Sequence, residues 1–116
     1  MSGDIEALQK ALRQFSEERD WGQFHSPKNL AAALSVESAE LLEHFQWLTE
    51  EQSRSLDKAK LSRVGEEIAD VLLYLIQLSD RLGINLLDAA WSKLEANGRK
   101  YPVDLAKGTM KKYNEL

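Results

Sequence analysis

Two pairs of acidic residues stand out because each pair interrupts an otherwise apolar helical stripe. Glu37 falls within a run of regularly spaced leucines, and Glu40 follows it at i+3 on the same side. Glu67 and Asp70 repeat this spacing inside a second apolar pattern. Residues three apart on a helix point the same way, so each pair would aim two carboxylates at one place. The sequence therefore predicts two helices that each carry an acidic pair beside the core-facing side.

A single acidic pair usually belongs to a solvated helix face, but two such pairs predict a site. Two helices joined by a short connection pack antiparallel, which would bring the four carboxylates together. Clustered carboxylates repel one another and are penalised by desolvation, so cations or protons must neutralise them at pH 7. Oxygen ligands without cysteine favour Mg²⁺, with Mn²⁺ as a substitute. A di-iron site is disfavoured, since it needs Glu-x-x-His on two helices and the helix around Glu67 has no histidine.

Helical periodicity organises the first half of the chain. An amphipathic pattern that begins at Ile5 predicts a helix ending near Asp20. Ser26-Pro27 is a helix-start signature, with a hydroxyl N-cap and proline at the first position. The row that contains Glu40 continues along this second helix through His44 to Trp47, in steps of four and three residues. We therefore expect Trp47 on the same helical row as the first acidic pair.

Similar signals place the remaining helices. Thr49 and Gln52 predict a capping box, and a third long pattern then runs to Gly83, where a left-handed glycine would end it. Asn85 begins a shorter helix that we expect to stop at Gly98. There is no strand-like alternation, internal repeat or low-complexity linker. We predict an all-α fold, a four-helix bundle in one domain spanning 1–116, with a basic C-terminal tail at about 99–116.

Composition limits the classes of protein to consider. The chain has 116 residues and 13.2 kDa, with 43% hydrophobic and 29% charged residues, which fits one soluble globular domain. No apolar run approaches the roughly 20 residues of a membrane span. The first four residues show neither a basic leader nor an apolar stretch, so we expect no signal peptide. The absence of cysteine excludes disulfides, zinc-thiolate sites and thiol catalysis, and it fits a cytoplasmic location.

The charge is distributed unevenly along the chain. The formal net charge is −4, made of −7 over residues 1–92 and +3 from Lys93 onward. An acidic body with a basic end is not typical of a protein that binds a nucleic-acid polymer. This distribution instead favours cations placed close to a smaller anionic ligand that the body holds.

These motifs resemble the all-α MazG-like nucleotide pyrophosphohydrolases. The signature of that family is E-x-x-E followed by E-x-x-D, which matches Glu37-Ser-Ala-Glu40 and Glu67-Ile-Ala-Asp70. Its dCTP pyrophosphatase branch is more similar still, and the resemblance extends from about Phe15 to Tyr113. The further shared runs are Arg19-Asp-Trp21-Gly-Gln-Phe24-His25-Ser-Pro27, Phe45-Gln-Trp47, Asp70-Val-Leu-Leu-Tyr74, Ser92-Lys93, Asn97 and Arg99-Lys-Tyr101-Pro102.

The resemblance implies a reaction and a set of site residues. Glu37, Glu40, Glu67 and Asp70 would hold Mg²⁺, and an activated water would attack the α-phosphorus of a nucleoside triphosphate. The products would be the monophosphate and pyrophosphate, in a role of sanitising the dNTP pool. The residues implied in substrate binding, besides Asp70, are Trp21, Gly22, Gln23, Phe24, His25, Trp47 and Tyr74 around the nucleoside, and Lys93, Asn97, Arg99 and Lys100 toward the phosphates.

Substrate choice and assembly are expectations of the same kind. We expect dCTP or a 5-modified dCTP as the best substrate, although Leu12 replaces a histidine of the animal dCTP enzymes and the connection from Trp47 to Glu67 is shorter here. Broad or different NTP specificity is the alternative. The wide apolar arc of the third long helix, together with the family, predicts a homo-oligomer, with a tetramer favoured over a dimer. A non-catalytic helical interaction module is the rival from another functional class.

Overall fold

The computed structural model describes residues 4–116, and this part of the chain is helical, without a β-strand. The all-α prediction is confirmed. Residues 1–3 lie outside the described residues, and with them most of the segment on which the signal-peptide expectation depends. The elements are α1 (Asp4–Glu18), α2 (Pro27–Glu43), α3 (Glu50–Ser53), α4 (Lys58–Arg81), α5 (Leu86–Lys100), α6 (Val103–Ala106) and a 3₁₀ helix (Tyr113–Glu115).

The helix starts follow the capping chemistry of the sequence. The Ser26 hydroxyl accepts a hydrogen bond from the Asn29 N–H at 3.2 Å, with Pro27 as the first residue of α2. Thr49 and Gln52 form the expected capping box around α3. These contacts satisfy amide groups that have no partner within the helix. The four long helices, α1, α2, α4 and α5, begin close to where the sequence predicts them.

Two helix ends differ from the prediction. α2 stops at Glu43, because the Phe45 N–H donates to the Leu42 carbonyl at 2.9 Å and the following residues form tight turns instead of another helical turn. The prediction that the helical row continues to Trp47 is therefore wrong. α5 passes through Gly98 and ends at Lys100, since Pro102 disfavours the helical conformation of the residue before it.

The chain forms two compact units, one up to Gly83 and one from Ile84 to Leu116. The expectation of a single domain over 1–116 stays a prediction. In the first unit, α4 packs against both α2 and α1. In the second unit, α5 is followed by α6 and the 3₁₀ helix, so the expected basic tail contains two short helical elements.

The first unit is held by a small core and one polar clamp. Leu30, Val64 and Ile76 are the buried apolar residues of the described chain. The carboxylate of Asp80 on α4 accepts hydrogen bonds from Arg13 at 2.5 and 2.7 Å and from Gln9 at 2.9 Å. Because charge-assisted bonds of this kind are stronger than neutral ones, Asp80 fixes α1 against α4.

Much of the apolar surface of the first unit remains exposed. Leu61, Ile68 and Leu72 are each at least 38% exposed, and with Gly65 and Ala69 they form one uncharged stripe along α4. Among residues 4–116, no helix is both long enough and apolar enough to cross a membrane.

Candidate active site

The packing of α2 against α4 brings the acidic residues together. One carboxylate oxygen from each of Glu37, Glu67 and Asp70 lies within 4.8 Å of the other two. Glu40 lies near Glu37, since its carboxylate contributes to the raised pKa of Glu37. The structure thus brings together one residue of the first acidic pair and both residues of the second, with Glu40 beside them.

Two buried oxygens in this cluster have no partner. Oε2 of Glu37 and Oε2 of Glu67 are shielded from solvent, and no donor in the described part of the chain reaches them. Buried polar atoms are nearly always hydrogen-bonded, because a buried polar atom without a partner has lost its interactions with water and has gained no hydrogen bond in the protein. A pair of orphaned carboxylate oxygens on facing helices is therefore a place where a bound cation would complete the structure.

The electrostatics of the cluster also show that it is unfavourable for all of its carboxylates to be charged and without a cation. Burial, and after it the neighbouring carboxylates of Glu40, Glu67 and Asp70, together raise the pKa of Glu37 from its ordinary 4.5 to about 7. At neutral pH the metal-free site would therefore hold a proton on Glu37 for part of the time. A divalent cation would take the place of that proton.

The donor set decides which cation fits. Carboxylate oxygens with no sulfur or imidazole among them are ligands for hard cations, and Mg²⁺ is usually bound by a few carboxylates, leaving positions for water and phosphate. Glu37, Glu67 and Asp70 are the residues whose oxygens are close enough to bind one ion together. Glu40 is the fourth acid of the site, adjacent to Glu37.

The predicted nucleoside residues at 21–25 lie in one ordered turn between α1 and α2. The Trp21 ring meets the rings of Phe15 and His25 edge-on, at centroid distances of 5.7 and 6.0 Å. The Phe24 side chain is exposed and that of His25 is half-buried. The structure thus groups Trp21 and His25 into one aromatic row.

The other predicted nucleoside residues lie on different elements. Trp47 lies in the turns that follow α2, and its side chain is 86% exposed. Tyr74 lies one helical turn after Asp70 on α4 and is half-buried. A large aromatic ring left this open to solvent contributes little to the fold, so Trp47 is available for a ligand or for another chain.

The predicted phosphate residues all lie on α5, in the second unit. Lys93 is exposed and Asn97 is half-buried. Arg99 forms an exposed ion pair with Glu95 at 3.3 Å, and the Lys100 ammonium lies 5.0 Å from the centroid of the Tyr113 ring. Their role toward phosphates stays a prediction.

Sequence reasoning missed two residues that shape the turn at 19–25. Ser16 is buried, and its main-chain oxygen accepts hydrogen bonds from the N–H groups of Arg19 and Trp21. Asp20 adopts a positive φ of 52°. Aspartate directly after a helix and close to a glycine is a signal for such a turn, since aspartate tolerates the left-handed region better than most residues.

Comparisons with known proteins identify relatives of this chain in sequence and in fold. The model of the MazG-like family matches residues 32–116. Human dCTP pyrophosphatase 1 is 40% identical over 114 residues, covering 97% of this chain and 67% of the relative, and the bovine protein is 38% identical with 97% and 68% covered. A pyrophosphatase structure from Archaeoglobus fulgidus DSM 4304 is 45% identical with a TM-score of 0.80, covering 84% of this chain and 92% of that one.

The family match covers both acidic pairs, since residues 32–116 include the whole E-x-x-E and E-x-x-D signature. The dCTP pyrophosphatases agree with it in sequence, and the solved structure agrees with it in sequence and in fold. The resemblance predicted from the motifs is confirmed, and the chain belongs to the MazG-like family.

Proposed function

We propose that this protein is a Mg²⁺-dependent nucleoside triphosphate pyrophosphohydrolase that cleaves dCTP, or a 5-modified dCTP, into the monophosphate and pyrophosphate. The coarser part, a hydrolase of nucleotide pyrophosphate bonds, agrees with relatives named dCTP pyrophosphatase at 38–40% identity. The metal, the preferred base, the sanitation of the dNTP pool and the cytoplasmic location are the finer parts of the proposal.

One observation carries the proposal: facing helices bury carboxylate oxygens of Glu37 and Glu67 to which no residue from 4 to 116 donates a hydrogen bond. The alternative hypothesis is a non-catalytic interaction module. Such a protein would not require buried carboxylates, because burying them costs stability. A metal-dependent hydrolase needs them. The acids would be neutralised by the cation and, through it, would hold the triphosphate.

The chemistry requires positioning and charge neutralisation more than covalent catalysis. Bound Mg²⁺ would supply positive charge against the phosphates and polarise the α-phosphorus. Glu37, Glu67 and Asp70 would hold the cation, and Glu40 would keep the negative charge of the site concentrated beside Glu37. A water oxygen would bond to the α-phosphorus as that phosphorus loses its bond to the α,β-bridging oxygen. Pyrophosphate would leave with the bridging oxygen, and a proton of the water would pass to solvent.

The choice of base is proposed to depend on the exposed aromatic residues. Stacking on Trp47 or Trp21 would accept any base, because every base has a π face. Discrimination then needs a group that reads the edge of the base, and His25, beside Trp21, is the candidate. The support for dCTP is the similarity to relatives that carry that name.

The proposal is tested by a panel of dNTPs and NTPs with Mg²⁺, scored for pyrophosphate and for the nucleoside monophosphate. We expect dCTP to give the highest kcat/KM, and Glu67→Gln to be inactive. Glu66→Gln is the matched control, because Glu66 is the exposed neighbour of Glu67 on the same helix and should keep activity. Release of orthophosphate instead of pyrophosphate, or equal activity of both variants, would contradict the proposal.

We also propose that a second copy of the chain covers the exposed stripe on α4, giving a dimer or, as we favour, a tetramer. The support is the uncharged run of Leu61, Gly65, Ile68, Ala69 and Leu72 on a helix whose other sides pack against α1 and α2. Continuous apolar patches of this kind on soluble proteins usually mark interfaces.

A further inference from the structure

The turn that carries Trp21 begins with a residue in an unusual backbone conformation. Asp20 has a φ of 52°, and of the residues described it is the non-glycine residue with a positive φ. Side chains disfavour this region, although aspartate and asparagine tolerate it best. The reversal at Asp20 lets the Trp21 N–H donate to the Ser16 carbonyl at 2.9 Å. The conformation of one residue thus directs the backbone that carries the Trp21 ring.

The Gln23 side chain holds Asp20 in place. Its amide nitrogen donates to the Asp20 carbonyl at 3.0 Å and to the Asp20 carboxylate Oδ2 at 3.2 Å. The far side of the turn is fixed as well, since the Asn29 amide donates to the Phe24 carbonyl at 2.8 Å. Strained conformations persist only where the surroundings over-determine them, as they do here.

The aromatic row depends on the conformation of the turn. Gly22 lies close to the end of α4, since the Arg81 guanidinium comes within 3.5 Å of the place where a Cβ on Gly22 would lie. The row of Phe15, Trp21 and His25 is assembled only when the turn keeps this conformation, because Trp21 provides the central ring.

We propose that Asp20, latched by Gln23, is a positioning residue that fixes Trp21 and His25 in the orientation that receives the nucleoside of the substrate. The inference rests on the proposed function and extends it to Asp20, which is not among the residues proposed to contact the nucleotide. Asp20 acts through the backbone of the turn, so its loss should weaken nucleotide binding while the chemistry at the acids continues.

The test compares Asp20→Ala with Asp20→Asn in the full chain. Alanine is strained at positive φ and removes the bond from Gln23 to the carboxylate, so we expect KM for dCTP to rise about five- to tenfold at an unchanged kcat. Asparagine tolerates the conformation and keeps a side-chain oxygen, so it should restore a KM close to that of wild type. Asp57→Ala, which removes the N-cap bond to Lys60 on α4, is the control for a merely structural loss and should leave KM unchanged.

A spectroscopic measurement makes the test independent of turnover. The chain has three tryptophans, so Trp47→Phe and Trp91→Phe together leave Trp21 as the only indole. In that background we expect Asp20→Ala to increase iodide quenching of Trp21, and Asp20→Asn and Asp57→Ala to leave it as it was. Unchanged quenching, unchanged KM, or failure of asparagine to restore both would overturn the inference.

The two proposals fail in different ways. A wild-type protein that hydrolyses no nucleotide would refute the proposed function. In that case the Kd for dCTP, measured by calorimetry in the same variants, would be compared instead of KM. A tenfold weaker binding by Asp20→Ala with rescue by Asp20→Asn would still support the positioning role, and equal binding by all variants would refute it.

Discussion

Glu37 on α2 and Glu67 on α4 each bury one carboxylate oxygen, Oε2, that accepts no hydrogen bond from the described chain. Together with an oxygen of Asp70, the ligand atoms of these residues lie within 4.8 Å of one another. Under the proposed function, a cation bound here would offset the repulsion between these carboxylates. The same two glutamates would then affect both the stability of the protein and its activity.

Removing one acid should therefore separate activity from stability. We expect Glu67→Gln and Asp70→Asn to abolish hydrolysis while the metal-free protein melts at or above the wild-type temperature, because one repulsion is relieved. A structural ion pair would behave oppositely, with a loss of about 3–5 kcal/mol. Melting curves in EDTA measure this directly, with Glu66→Gln as the control. Amide variants that melt well below wild type would refute the metal site.

Mg²⁺ should stabilise the wild type and not these variants. A ligand that binds only the native state adds about 2.7 kcal/mol at a hundredfold excess over its Kd. We expect a higher melting temperature for the wild type in millimolar Mg²⁺, and little or no shift for Glu67→Gln and Asp70→Asn. An equal shift in all three proteins would mean that Mg²⁺ binds elsewhere.

The pKa of Glu37 predicts how the metal-free protein responds to pH. Because burial and nearby carboxylates raise this pKa from 4.5 to about 7, the native state binds the proton more tightly than the unfolded chain. Its contribution to stability is complete below about 4.5 and is lost as the pH rises through about 7. Unfolding in EDTA across this range should show wild-type stability falling with pH relative to Glu37→Gln. Parallel curves would exclude Glu37 as the titrating group.

The stability that depends on Asp80 should change with pH in the opposite direction to that of Glu37. The Arg13 guanidinium lowers the pKa of Asp80 from its usual 3.8, so the pair stabilises the fold above that pH, and this is lost as the pH falls through the native pKa. We expect Asp80→Asn to melt about 5 °C below wild type at neutral pH, with the difference disappearing in acid. Glu17→Gln is the control, because Glu17 acts on Arg13 only through its charge. Equal melting of the two variants would deny Asp80 its role as a clamp.

Trp47 should affect binding and not folding. Its side chain is 86% exposed, so Trp47→Ala should leave the melting temperature unchanged and raise KM for dCTP. Loss of base stacking costs about 1–3 kcal/mol. Trp91→Ala is the matched control, because Trp91 is 70% exposed and has no proposed contact with the nucleotide. An unchanged KM for Trp47→Ala would remove Trp47 from the pocket.

Assembly can be measured by light scattering. The exposed stripe on α4 predicts a species of two or four chains, each of 13.2 kDa. A charge introduced at its centre, Ile68→Glu, should shift the protein toward the monomer, whereas the same change at exposed Leu105, outside the stripe, should not. A wild-type monomer at micromolar concentration would refute the proposed oligomer.

The sequence determined what depends on neighbours along the chain. Helix periodicity, the cap at Ser26, the box at Thr49 and the pairing of acids three residues apart are local, so spacing alone predicts them. The family resemblance is also readable from the motifs. For the same reason the sequence could predict which carboxylates pair on each helix, although not which of their oxygens would be buried.

Tertiary structure decided what depends on residues far apart in the chain. The clamp from Arg13 to Asp80 joins positions 67 residues apart, and the orphaned oxygens exist only because α2 packs on α4. The positive φ of Asp20 is selected by a network of bonds across the turn, and the exposure of Trp47 follows from the early end of α2. Helical periodicity in the sequence cannot predict these features. The burial of a residue, its hydrogen-bond partners and its backbone strain are determined by the contacts that it makes after folding.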